Sequence, residues 1–249
     1  MELPKATDLF RQSWQMFKQK IKILILIQLV PFFAAIPILI VMEAMGLLEE
    51  RPALSAIDGA SLIMALLMLF FITVGLMLQF WAQAAMILAI DSPVGTFSFK
   101  DVFRRSRPLI WPYAWVSALT FFIIFLGIVA LIIPGIIFAL RYWMGSYTVL
   151  LEGKRGMEAL RTSKSYAQGN LGKILTKGAF LFLIAAAVFM VPGGILDAVH
   201  LKPLSDIYTT LASLVFSPVA AIYGYLLYRG LRDMKSSQQT IAPVPAPAA

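Results

Sequence analysis

Cysteine is absent from the chain. Disulfides, thiolate metal sites and cysteine nucleophiles are therefore excluded, while the redox compartment stays open. Charge is scarce: Asp, Glu, Lys and Arg make up 14% of the 249 residues. A soluble domain carries roughly 25%, because it must solvate its surface. The sequence patterns of zincins, Walker A loops, nucleophile elbows and dinucleotide folds are all missing, so no constellation supports an enzyme. No cofactor is implied.

What is present is apolar sequence in long blocks. Hydrophobic residues are 60% of the chain, and the mean hydropathy is +0.83. A water-soluble fold could not hide such blocks. The net charge is +8, but the basic residues flank apolar blocks. They act as topology signals and phospholipid contacts rather than as a nucleic-acid surface.

The expected fold is all-α, a polytopic transmembrane bundle of about six spans, each near the roughly 20 residues a crossing needs. The spans fall at residues 21–42, 61–90, 111–133, 134–151, 174–196 and 207–228. The first block is too long for a signal-peptide core and lacks a small-residue cleavage site, so it reads as a retained span. Pro31 and Pro37 are expected to kink it. The second is long enough to tilt or project. Pro134-Gly135 predicts a sharp break between spans three and four, and Pro192-Gly193-Gly194 a second such hairpin break. One membrane domain covers residues 1–235, and the Pro/Ala-rich residues 236–249 read as a disordered tail.

Orientation follows from counting. Of 21 Lys and Arg, 18 fall before span one, after spans two and four, and in the tail. Only Arg51 and Lys202 fall opposite, with Glu43, Glu49, Glu50, Asp58, Asp197 and Asp206. The positive-inside rule places both termini in the cytoplasm. His200, the single histidine, sits in an outer loop with no visible partner, a poor candidate for catalysis or metal binding.

Three cytoplasmic stretches share the order acid, apolar, apolar, Arg, any residue, Ser: Asp8 to Ser13, Asp101 to Ser106 and Glu158 to Ser163. Each precedes an odd-numbered span with proline towards its outer end. The pattern reads as a threefold repeat, over residues 5–90, 98–152 and 156–229, of a short interfacial helix followed by a helical hairpin. Acid and Arg three apart share a helix face, so Asp8–Arg11, Asp101–Arg104 and Glu158–Arg161 are candidate ion pairs. In the first copy Leu9, Phe10, Trp14 and Phe17 oppose Arg11, Gln15, Lys18 and Lys22. That face suits anionic headgroups, or packing against the bundle, or both.

Polar groups inside the spans mark a candidate site. Arg141 lies about two turns beyond the Pro134-Gly135 break, and an arginine near the bilayer centre costs about 2.5–3.5 kcal/mol on insertion scales. It is expected to contact an anion or lipid headgroup, to bond between helices or to snorkel. Gln28, Gln79 and Gln83 line a polar path or act as interhelical glue. Asp91 and Glu152 end spans two and four, where salt bridges to Arg104 and Arg161 are the expected role.

The stretch Ile133-Pro134-Gly135-Ile136-Ile137, Arg141, Val149 to Gly153, Gly156 to Ser163 and Gly169-Asn170 resembles a broad group of prokaryotic membrane proteins. That group includes the membrane domain attached to some glycerophosphoryl diester phosphodiesterases. The resemblance implies a multi-span bundle in a bacterial or archaeal cytoplasmic membrane. It implies no activity, because this membrane portion carries no catalytic residues to transfer. The leading expectation is a non-enzymatic component that organises lipids, through anionic headgroups, or protein partners. The alternatives are a transporter with a polar site near Arg141 and, third, a membrane-embedded enzyme. Reporter fusions after Glu50 and Lys202 should report outside, and fusions after Lys100 and Arg155 inside. A cytoplasmic signal at Lys202 would overturn the topology.

Overall fold

The computed structural model describes residues 3–44, 59–96 and 98–241. Glu49, Glu50, Arg51 and Asp58 of the expected acidic loop lie outside them. Nine α-helices and no strand occur among the described residues: α1 (Ala6–Ala44), α2 (Gly59–Asp91), α3 (Phe99–Ser106), α4 (Ile110–Ala130), α5 (Ile132–Tyr142), α6 (Gly145–Glu152), α7 (Gly156–Ala167), α8 (Leu171–Ala198) and α9 (Lys202–Ile241). The fold is all-α.

Five helical segments are long and apolar enough to cross a membrane: Ala6–Glu43, Leu62–Asp91, Phe99–Ala130, Leu171–Leu196 and Lys202–Ser237. The expected fourth span is not among them. It is divided into α5, with 11 residues, and α6, with 8. A turn at Trp143 and Met144 separates the two, although both residues keep right-handed helical dihedrals.

Four further boundaries differ from the sequence reading. The expected interfacial helix and span one fuse into a single 39-residue helix, because residues 14–22 contain neither glycine nor proline to stop it. In the other two copies the chain is interrupted, by a 3-10 turn at Arg107–Leu109 containing Pro108 and by Gly169 at φ +79°. Between α4 and α5 the break comes at Leu131, extended at φ −165° and ψ 142°. Pro134 sits in the first turn of α5, where its missing N–H costs little. The Pro192-Gly193-Gly194 element stays helical, and α8 turns only at His200, with φ 60°. Finally, α9 continues past residue 235 to Ile241, and residues 242–249 lie outside the description.

The helices form three hairpins: α1–α2, α4–α5 and α8–α9. The first and third pack through α1 against α9, while α6 and α7 join the second to the others. At the tip of α4–α5 the backbones touch. A Cβ on Gly135 would stand 2.8 Å from the Ile128 nitrogen, and one on Gly127 would stand 3.0 Å from the Gly135 Cα. Only glycine permits that approach.

The core sits at one end. Leu24 and Ile27 of α1, Ala84 to Met86 of α2, Val149 of α6, Leu160 of α7 and Ile222 to Tyr223 of α9 are buried there. Exposed Lys5, Arg11, Lys18, Lys22, Arg104, Arg161 and Lys164 surround the same end. At the opposite end Phe33, Leu66, Phe122, Met190 and Leu211 are exposed. A long apolar belt with its packing at the basic end fits a membrane protein.

Register at the basic end is set by Lys20. Its side chain is buried, and its ammonium donates to the carbonyls of Ala89 at 2.9 Å, Ile90 at 2.6 Å and Ser92. These carbonyls terminate α2, where a cation is favoured by the helix dipole. Replacing Lys20 by Met should destabilise the protein by about 2 kcal/mol, the scale of a charged hydrogen bond. Thermal unfolding in detergent measures it, and an unshifted midpoint would show that water caps α2 equally well.

Candidate functional site

The three acid-to-Ser motifs occupy one register. Asp8, Asp101 and Glu158 each stand in the first turn of a helix, α1, α3 and α7. A carboxylate there accepts from free N–H groups and meets the positive end of the dipole. Asp101 does so visibly, accepting from the Ser98 N–H at 3.3 Å. The next residue, Leu9, Val102 or Ala159, is buried in each copy, and so is the serine, Ser13, Ser106 or Ser163. Arg11, Arg104 and Arg161 are all exposed.

Of the candidate ion pairs, only Asp101–Arg104 forms among the described residues, at 3.2 Å. Glu158 pairs with Lys154 instead. Asp91 and Glu152 do not bridge to Arg104 or Arg161. They accept hydrogen bonds from tyrosines of α7 and α9: Tyr225 on Asp91 at 2.7 Å, Tyr166 on Glu152 at 3.0 Å, and Tyr228 also on Glu152. The reason is position. The motif arginines point into solvent, whereas α9 lays its tyrosines directly against the ends of α2 and α6.

The intramembrane candidates do not converge. The Gln28 side chain accepts from Ser217 of α9 at 3.5 Å. Gln79 lines a crevice of about 230 Å³ between α1 and α2, beside Pro31 and Gly75, and Gln83 is partly buried on α2. Arg141 is on α5, and its carbonyl accepts from Ser163 of α7 at 2.7 Å. Its guanidinium has no hydrogen bond or ion pair among the described residues. Through the Ser163 bond its backbone meets the basic helix α7.

A feature that sequence reasoning missed lies beside it. A cleft of about 400 Å³ opens between α5, α8 and α9, lined by Leu140, Trp143, Ile174, Gly178, Leu181 and Tyr223 among others. Its walls are almost wholly apolar. At Gly178 a Cβ would meet nothing within 4 Å. At Gly224 a Cβ would stand 2.5 Å from the Tyr147 hydroxyl and 3.3 Å from the Trp143 ring, so glycine there lets both rings lie on α9. The indole N–H of Trp143 is buried and has no acceptor among the described residues.

The floor of the cleft is tied down by tyrosines. Tyr223 donates to the Lys177 carbonyl at 3.0 Å, and Tyr147 to the Ala221 carbonyl at 3.3 Å. Tyr147 stacks on Tyr228 with ring centres 5.3 Å apart. The spacing of Tyr223, Tyr225 and Tyr228 beside Arg229 and Arg232 was the available sequence signal. Among the described residues no group of three His, Asp or Glu could hold a metal ion. Compared with protein-family models, with curated proteins and with solved structures, the chain matches none.

Burial first, and then the Glu152 carboxylate, push the Tyr166 phenol up to about 12. A raised phenol favours the folded state below its unfolded value near pH 10, and the benefit is lost as pH rises towards 12. The ultraviolet titration removed by Tyr166→Phe should therefore centre near pH 12. In a Glu152→Gln background it should move down yet stay above the free value, because burial remains. A Tyr166 that titrates normally in the intact protein would break this account of the Glu152 cluster.

Proposed function

We propose that this chain is a non-enzymatic integral membrane protein that holds a lipid in the cleft between α5, α8 and α9. The cleft itself carries the reading. Its walls are apolar, it measures about 400 Å³, and it lies where the apolar belt meets the packed basic end. Acyl chains suit such walls. The acceptorless Trp143 N–H suits an ester or phosphate oxygen. Arg141 and Lys177, each next in sequence to a residue lining the cleft, supply charge for an anionic headgroup.

The setting is a prokaryotic cytoplasmic membrane with both termini inside. The threefold repeat belongs to this proposal. Its support is the shared register of first-turn acid, buried apolar residue and buried serine at Asp8, Asp101 and Glu158. The likeness of residues 133–170 to the phosphodiesterase-associated membrane domain belongs here too, as a likeness of architecture. Transport is less favoured, because Arg141, Gln28, Gln79 and Gln83 stand at separate contacts rather than around one polar path.

Gly178→Leu tests the reading, since the new side chain enters open space. Mass spectrometry of protein extracted in native lipid should find an anionic glycerolipid retained by the parent protein and lost from the variant at unchanged melting temperature. Equal lipid in both would defeat the proposal.

A further inference from the structure

The tip of the α4–α5 hairpin differs from the other two. The hairpin turns after α1 and α8 carry charged or polar residues, Glu43, Glu49 and Glu50 and then His200 and Lys202. Between Thr120 and Arg141, in contrast, every residue is aliphatic, aromatic, glycine or proline. The turn is nonetheless open: Leu131, Ile132 and Ile133 are 68%, 70% and 72% exposed. A turn of this composition has no reason to face water.

The charges of α7 set its depth. The Ser163 hydroxyl holds the Arg141 carbonyl at 2.7 Å, and exposed Glu158, Arg161 and Lys164 lie within about a turn and a half of Ser163 along the same helix. The backbone of α7 is further tied to the basic end by Lys235, which donates to the Ser165 carbonyl at 3.0 Å. If α5 crossed the whole bilayer, Arg141 would lie near its centre and draw these charges in with it. With α7 at the basic surface, Arg141 marks that surface. From Arg141 to Leu131 is ten residues, about 15 Å of helix, half of a hydrocarbon core roughly 30 Å thick.

From this we infer that α4–α5 is a re-entrant hairpin: it enters from the basic side, turns in the middle of the bilayer and returns, its tip covered by acyl chains. The protein then crosses fully four times, through α1, α2, α8 and α9, which still leaves both termini on one side. Irregular backbone in hydrocarbon is costly, and the turn limits that cost to Leu131 and the opening N–H groups of α5, those of Ile132 and Ile133. Leu131 is the single non-helical residue. Its N–H donates to Gly127 at 3.0 Å and its carbonyl accepts from Gly135 at 3.3 Å, while Pro134 has no N–H to satisfy. The glycine contact between α4 and α5 lets the two limbs turn without a loop.

The chain has no cysteine, so single cysteines report depth directly, whether or not the cleft holds lipid. In sealed vesicles of known orientation, Lys100→Cys should react with an impermeant maleimide from the basic side only and His200→Cys from the opposite side only. Ile133→Cys should react from neither side, and should react once detergent removes the lipid. A nitroxide at 133 should be reached by oxygen and not by an aqueous nickel complex. Labelling of Ile133→Cys from the far side would restore a full crossing and overturn the inference. Labelling from the basic side would overturn it by placing the tip in water there. Silence even in detergent would also overturn it, since protein, a second copy included, would then cover the tip.

Discussion

A single ammonium group organises the packed end of this protein. Lys20 sits on three carbonyls that end α2, and this fixes where α1 stands along its partner. Among the same residues, Asp91, the last of α2, accepts from Tyr225, so α9 meets the same helix end. Around this junction α3 returns along α2, held by the Trp81 indole, which donates to Ser106 at 2.9 Å. A helix terminus buried without partners would leave several carbonyls desolvated at a cost of a few kcal/mol. Lys20 removes that cost and leaves the end of α2 available as a hub for α1, α3 and α9.

The same logic explains why packing is concentrated at the basic end. Tyrosine and serine hydroxyls cross-link neighbouring helices there. Ser163 on Arg141, Tyr223 on Lys177 and Tyr147 on Ala221 all terminate on main-chain carbonyls. At the far end the helices satisfy their own backbones and expose Leu, Ile and Phe. Lipid tails are as apolar as those side chains, so little drives the hairpins together there.

The sequence made the helical hairpins legible because apolar length is a strong signal. It also located the three acid-to-Ser motifs, since a first-turn acid followed by an inward-facing serine leaves a fixed spacing. The acid–Arg pairings were less legible: in two of the three copies the arginine forms no pair with the motif acid, because solvent competes well for an exposed guanidinium. Lys20 was invisible as a cap because its three acceptors are main-chain carbonyls some 70 residues away, and a carbonyl carries no sequence letter. The Pro134-Gly135 element did mark the α4–α5 turn. Its chemistry was misassigned, however: the extended residue is Leu131, proline starts the next helix, and glycine serves close approach rather than the bend.

These features meet at the cleft. On its basic side the walls are fixed by tyrosine hydroxyls and a stacked Tyr147–Tyr228 pair. On the other side α5 leads away towards a tip with little protein around it. On the lipid-binding proposal, the boundary between protein packing and lipid packing passes through the cleft, rather than around the outside of a finished bundle. Because α5 has only 11 residues, the outer halves of α8 and α9 pack on each other beyond it, as where Tyr208 donates to the Val188 carbonyl at 2.7 Å. Under the lipid-binding proposal, acyl chains complete the packing of the cleft, whose wall includes Trp143, the residue whose buried indole N–H has no acceptor among the described residues.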